Sequence, residues 1–151
     1  MATGTHVVEV PVAIENVWEF VSDMEKWAKL VPGYNAHTMI NDKQSTWVFK
    51  GNVGVLKKTV EVEIDILEWI EPSKVTFKLK GISDNFTGNG YFLAESIDAT
   101  TTRMTGFLEV TAGGLAGPVL NPIFKPIVPK ATQMLTDRVA NKIKALHPVN
   151  V

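Results

Sequence analysis

The sequence contains no cysteine. Disulfides, thiolate zinc sites and cysteine nucleophiles are therefore excluded. It also lacks an excess of either charge: 15 lysines and arginines stand against 16 acidic residues, a net charge of −1. A near-neutral chain gives no electrostatic case for nucleic acid, which needs a basic face to neutralise phosphates. No apolar run reaches the ~18 residues that span a bilayer. The opening Met1-Ala2-Thr3-Gly4-Thr5 lacks the basic-then-apolar signature of a signal peptide, so a cytoplasmic location is expected. No serine elbow, phosphate loop or dinucleotide fingerprint is present, and Gly88-Asn89-Gly90 is too short a match to count.

What is present is the make-up of a globular chain. Hydrophobic residues form 45% and charged residues 21% of 151 positions, enough for one domain, 1–151, with a real core. His6 to Val10 reads as a first strand, ended by Pro11, which cannot donate to a sheet ladder. Ile14, Val17, Trp18 and Val21 then recur at helical spacing. Ser22-Asp23 is a fresh cap signal before a second short helix carrying Met24, Trp27 and Ala28, which Val31-Pro32-Gly33 stops. The two form an elbow.

From Tyr34 to Ala112 the period becomes two. Val60, Val62, Ile64 and Ile66 alternate with Glu61, Glu63 and Asp65, and Val75, Phe77 and Leu79 with Thr76, Lys78 and Lys80. One face is buried and the other wet, as in an antiparallel sheet with one solvated side. Turn signals at Asn41-Asp42, Gly51 to Gly54, Glu71-Pro72-Ser73, Gly81 to Asp84 and Ile97 to Ala99 divide the run into six strands. Ala131, Leu135, Val139, Ile143 and Leu146 mark a final helix. From Lys130 to Leu146 it would be roughly 26 Å long. The expected fold is α+β: a curved antiparallel sheet of about seven strands closed around one long C-terminal helix.

Three glycines point to the interior. On the strand near Gly88 to Ala94 the inward set is Gly88, Gly90, Phe92 and Ala94; on the last strand it is Met104, Gly106, Leu108 and Val110. Glycine weakens a strand, so either the strands bend there or space is left beside the helix. The wall of such a space would be Trp47 and Phe49, then Val60, Val62 and Ile64, then Phe77 and Leu79, with Phe92, Met104 and Leu108 beyond. Gly90 and Gly106 would face it. From the helical side Phe124, Ile127, Ala131, Met134 and Leu135 would close it. The alternative is a filled core in which the same residues pack on one another. A pocket lined this way takes an apolar small molecule, and nothing in the pattern requires a cofactor or a metal.

Pro118, Pro122, Pro126 and Pro129 punctuate an otherwise apolar segment. At ~3 kcal/mol for each proline inside a helix, the segment is expected to be kinked or broken, with regular helix starting near Pro126 to Lys130. An irregular apolar stretch there would serve as a lid, or as a peripheral membrane or protein contact; the alternative is quiet packing on Trp18 and Trp27. His6, His37 and His147 are dispersed, and Glu61, Glu63 and Asp65 belong to the outer face. For acid–base chemistry the candidates are Tyr34, His37 and Arg103, should a strand's faces be inverted by a one-residue slip.

The run Pro11-Val12 through Val17-Trp18-Glu19-Phe20, Asp23, Trp27 and Val31-Pro32-Gly33 resembles the opening of START-like helix-grip proteins, the SRPBCC superfamily. Gly51-Asn52-Val53-Gly54-Val55-Leu56-Lys57, Val60 to Ile66 and Asn85-Phe86-Thr87-Gly88-Asn89-Gly90 are similar to its CoxG-like branch, named for carbon monoxide dehydrogenase. The proline-rich approach to the last helix looks closer to polyketide cyclase/dehydrase-type members. The resemblance implies a deep hydrophobic cavity between sheet and helix, used for lipids, quinones, polyketides or hormones. CoxG-like relatives are accessory and membrane-associated, many with a hydrophobic tail; this sequence ends at Val151 without one. The first expectation is a binder or carrier of such a ligand. A cyclase- or dehydratase-like enzyme and an assembly factor for a redox enzyme are the alternatives.

Overall fold

The structure, a computed structural model, describes residues 2–53, 56–82 and 85–147, and the side chains of residues 51–58 are not described. Gly54 and Val55 of the CoxG-like motif, and Ser83-Asp84 of one expected turn, lie outside the described residues.

Strand β1 (Ala2–Val10) leads into helices α1 (Ile14–Val21) and α2 (Met24–Trp27), which a 3-10 turn at Ala28–Leu30 extends. Strands β2 (Tyr34–Met39), β3 (Gln44–Val53), β4 (Leu56–Ile70), β5 (Lys74–Gly81), β6 (Phe86–Asp98) and β7 (Thr101–Ala112) follow, and helix α3 (Gly117–Leu146) closes the chain. All seven strands form one antiparallel sheet in the order β1-β7-β6-β5-β4-β3-β2. This is the α+β helix-grip architecture.

The elbow forms because its signals are satisfied. The Asp23 carboxylate accepts from the Glu25 backbone N–H at 3.1 Å, capping α2, and Trp27 Nε1 donates to the Val21 carbonyl at 2.9 Å. Val17, Trp18, Phe20, Val21 and Met24 are buried beneath it. At the first hairpin Asn41 Oδ1 accepts from the backbone of both Lys43 and Gln44, at 2.9 and 2.8 Å.

Strand β1 begins at Ala2, four residues before the start expected from the sequence, and runs along most of β7, from Val110 to Thr102. Its glycine is the reason it fits. A Cβ on Gly4 would lie 2.6 Å from Pro129 Cα and 2.9 Å from the Val128 carbonyl, so β1 passes directly beneath α3. His6 on β1 reinforces the contact through a 2.8 Å hydrogen bond to Asp137 on α3.

The expected break before the last helix is corrected. Helix α3 is continuous over 30 residues, with Pro122, Pro126 and Pro129 inside it. At a rise of ~1.5 Å per residue its length is about 45 Å. The prolines are spaced four, four and three apart, so all four fall within about 80° on a wheel of about 3.6 residues per turn. That side is exposed, and the carbonyls left without an N–H partner, those of Pro118, Pro122 and Lys125, belong to exposed residues too. Exposed carbonyls of this kind are open to hydrogen bonding by solvent. The penalties counted independently from the sequence do not add when every lost bond faces solvent.

Candidate functional site

Helix α3 does not lie evenly across the sheet. It packs on β1 and β7, at the edge where Gly4 and Gly106 allow close approach. A Cβ on Gly106 would collide with Thr136 Oγ1. Strands β3 to β6 curve away from this seam, and between them and the helix lies a cavity of about 440 Å³.

The cavity is apolar almost throughout. Sheet residues reach it from five strands: Trp47 and Phe49 on β3, Val60, Val62 and Ile64 on β4, Phe77 and Leu79 on β5, Phe92 on β6, and Met104, Gly106 and Leu108 on β7. From α3 come Phe124, Ile127, Ala131 and Leu135. Of the residues named from the sequence, Gly90 and Met134 do not line it. Gly90 is buried under its neighbour: a Cβ there would sit 2.6 Å from Phe77 Cζ and would collide with the Phe107 carbonyl. Gly88 is covered in the same way by the Leu79 side chain, at 3.1 Å. These two glycines serve strand bending, and their vacant side-chain space is taken by the adjacent strand. Met134 sits half-buried, off the cavity wall.

Sequence reasoning missed several parts of the wall, the rim at Gly33 and Lys50 among them. Val21, Met24 and Trp27 close the elbow end, Leu120 and Ile123 belong to the segment expected to be irregular, and Thr132 and Thr136 face in from α3. The threonine signal was legible as an i, i+4 pair on the buried stripe. Their hydroxyls are already used, donating to the carbonyls of Val128 and Thr132 at 2.7 Å each. They present methyl groups and spent hydroxyls to the interior.

An aromatic cluster forms the cavity wall near the elbow. Trp47, 1% exposed, stacks on Trp27, His37 and Phe49 with centroids 6.1, 4.9 and 5.9 Å away. Its indole N–H donates to Ser45 Oγ at 2.8 Å, which is the partner a buried tryptophan needs. Beside it, the Tyr34 hydroxyl and His37 Nδ1 are hydrogen-bonded at 2.7 Å, and His37 Nε2 meets the Glu25 carboxylate at 2.6 Å. This polar chain runs outward to an exposed carboxylate, and neither Tyr34 nor His37 lines the cavity. Arg103 pairs with Glu9 at 3.3 Å, with both side chains solvated. The alternating acids Glu61, Glu63 and Asp65 occupy the face opposite the cavity-lining Val60, Val62 and Ile64.

Asp98 is held below the ordinary carboxylate value, first by the Thr100 backbone N–H and then by the Thr100 hydroxyl. It stands at the β6–β7 turn, away from the cavity. A second depression of about 460 Å³, on the outer side of the elbow, is an open groove bearing Asp23, Glu25, Asp42 and Glu71 between Trp18 and Trp69. Among the described residues no three His, Asp or Glu side chains converge on a metal position, and no helix is long and apolar enough to cross a membrane.

A curved sheet gripping one helix around an apolar hollow defines a class of protein, and comparison with known proteins agrees. A protein-family model matches residues 1–145. No curated protein matches the sequence. Among solved structures, a START superfamily protein from Mycobacterium smegmatis is similar at 17% identity over 97% of this chain and 99% of that one, with a TM-score of 0.71. A conserved protein from Geobacillus kaustophilus has 14% identity, 95% coverage of both chains and a TM-score of 0.72. Zhui aromatase/cyclase from a Streptomyces species has 15% identity, covering 95% of this chain and 86% of that one, at a TM-score of 0.55. At such identities the likeness is one of fold. The chain has the START-like helix-grip fold.

Proposed function

We propose that this protein is a one-domain binder or carrier of a small apolar molecule, such as a lipid, quinone or polyketide-like compound, held between the sheet and α3. The observation that carries this reading is the unfilled space itself. At the ~24 cal/mol per Å³ found for cavities in packed cores, a sealed and empty volume of about 440 Å³ would cost on the order of 10 kcal/mol. That is comparable with the ~5–15 kcal/mol net stability of a whole domain. A connection to solvent admits water and lowers the figure. Even so, selection for stability alone would enlarge Ala131 or its neighbours until the gap closed.

Size limits the ligand. Taking ~30 Å³ per water-sized group in a liquid, the cavity holds about fifteen non-hydrogen atoms, enough for a medium-length chain or two or three fused rings. Two-chain phospholipids exceed it. Each methylene buried contributes ~0.8 kcal/mol, so affinity along a series of alkyl ligands should rise roughly fourfold per carbon and level off once the cavity is full. Displacement of a fluorescent fatty acid measures this. A flat series, or no binding at micromolar concentrations by fatty-acid or quinone probes, removes the proposal. A cyclase-like reading needs an acid or base on the cavity wall, and the arrangement of Tyr34, His37 and Arg103 does not favour it.

A further inference from the structure

Among the described residues lining the cavity, only Gly33 and Lys50 are exposed. A residue that both faces the hollow and meets solvent stands where the hollow opens. The two are joined: the Lys50 backbone N–H donates to the Gly33 carbonyl at 2.8 Å, tying β3 to the end of the elbow. Gly33 has φ of +79°, and a side chain there would meet the Lys50 carbonyl at 3.2 Å, so this rim is fixed and bare of bulk.

Among the described residues Lys50 is also the one ionisable residue in the lining, and its ammonium has no ion-pair or hydrogen-bond partner among them. Among the described residues no carboxylate lines the same space. The acids near the elbow, Asp23 and Glu25, face the separate outer groove. The interior hydroxyls of Thr132 and Thr136 are spent on backbone carbonyls. Among the described residues, therefore, a polar group on the ligand has one place to go, the rim, and finds one kind of charge there.

Resting on the binding function above, we infer that the ligand is an amphiphile with a compact or single-chain apolar body and an anionic head, a carboxylate or phosphate, seated beside Lys50 at the Gly33 rim. The body fills the hollow towards α3 while the head stays hydrated. Charge-assisted hydrogen bonding to a partly solvated ammonium adds modest affinity and sets orientation.

Dodecanoate, dodecyl phosphate and dodecanol test this, because they share a chain and differ in the head. By calorimetry or probe displacement, the wild-type protein should prefer at least one of the two anions to dodecanol by about three- to tenfold, the range for a partly exposed charge pair. Whichever anion leads identifies the head. The exposed substitution Lys50→Gln should lower affinity for the leading anion about three- to tenfold more than for dodecanol, removing that preference, and Lys50→Glu should turn it towards dodecyltrimethylammonium. Equal binding of all three, unaffected by Lys50→Gln, overturns the anionic-head inference and leaves the cavity's function standing. Failure of every alkyl probe, dodecanol included, overturns both.

Discussion

Substituting Ala131 by phenylalanine asks whether the hollow exists, and the sign of the response gives the answer. Ala131 lies on α3 one turn from Ile127 and one from Leu135, and all three line the cavity. The change adds six carbons. At the ~30 Å³ per group used above, they would occupy about 180 Å³, near two-fifths of the 440 Å³ available. Full burial of a phenylalanine side chain is worth ~1.5–3 kcal/mol, and replacing alanine in a helix costs ~0.5 kcal/mol. Ala131→Phe should therefore stabilise the protein by about 1–2 kcal/mol. For a chain of this size that corresponds to a rise in Tm of roughly 2–8 °C. In a filled core the same ring forces its neighbours off their rotamers and costs ~1–3 kcal/mol. Urea unfolding followed by tryptophan fluorescence measures the difference through the midpoint, with an unchanged m-value confirming that only stability moved. The same variant should bind a twelve-carbon probe at least tenfold more weakly, an estimate from losing two or more buried methylenes. A loss of 1 kcal/mol or more in stability would refute the cavity and the functional argument built on it.

Two further outcomes follow from the seam and from the helix. Gly106→Ala places a methyl on Thr136 Oγ1, so it should destabilise the protein by about 1–3 kcal/mol; adding Thr136→Ala should recover a large part of that, and purely additive losses in a double-mutant cycle would show that the contact is unimportant. Pro122→Ala, on the exposed side of a continuous helix, should raise stability by about 1 kcal/mol, since restored helical bonding outweighs the ~0.4–1 kcal/mol that proline contributes by restricting the unfolded chain. A decrease in its thermal midpoint would argue for a helix broken at that point.

What the sequence made legible was whatever depends on local period. The alternation Val60, Val62, Ile64, Ile66 identified both the strand and its inner face, and all four residues line the cavity. The cap at Asp23 and the stripe Ala131, Leu135, Val139 marked helices for the same reason. Properties that depend on what lies opposite were not legible. The sequence shows that Gly90 has no side chain, but only the register pairing it with Phe77 shows that a neighbouring ring takes the space. The prolines of α3 look prohibitive one at a time; their shared exposed face emerges only when they are placed on the wheel together. Lys50 is one of several lysines on alternating strands, and its position at the opening follows from the turn of the elbow at Gly33, which no periodicity reports.

The cavity is a consequence of where the helix is held. Gly4 and Gly106 remove two side chains from one edge of the sheet, and Thr132 and Thr136 offer small ones from α3, so the helix settles onto β1 and β7 at close range. A rigid helix about 45 Å long by its residue count cannot also follow the bend of β3 to β6. That bend is itself set by Gly88 and Gly90, whose Cβ positions would strike the carbonyls of Glu109 and Phe107 on the next strand. The glycines thus create volume indirectly, by bringing one edge in and letting the other curve away. Large aromatics at Trp47, Phe49, Phe77 and Phe92 then narrow the gap without closing it. On this account, enlarging Gly106 should lift the helix and loosen the fold, whereas enlarging Ala131 should tighten the fold and exclude the ligand. The two substitutions act on one interior and are expected to move stability in opposite directions.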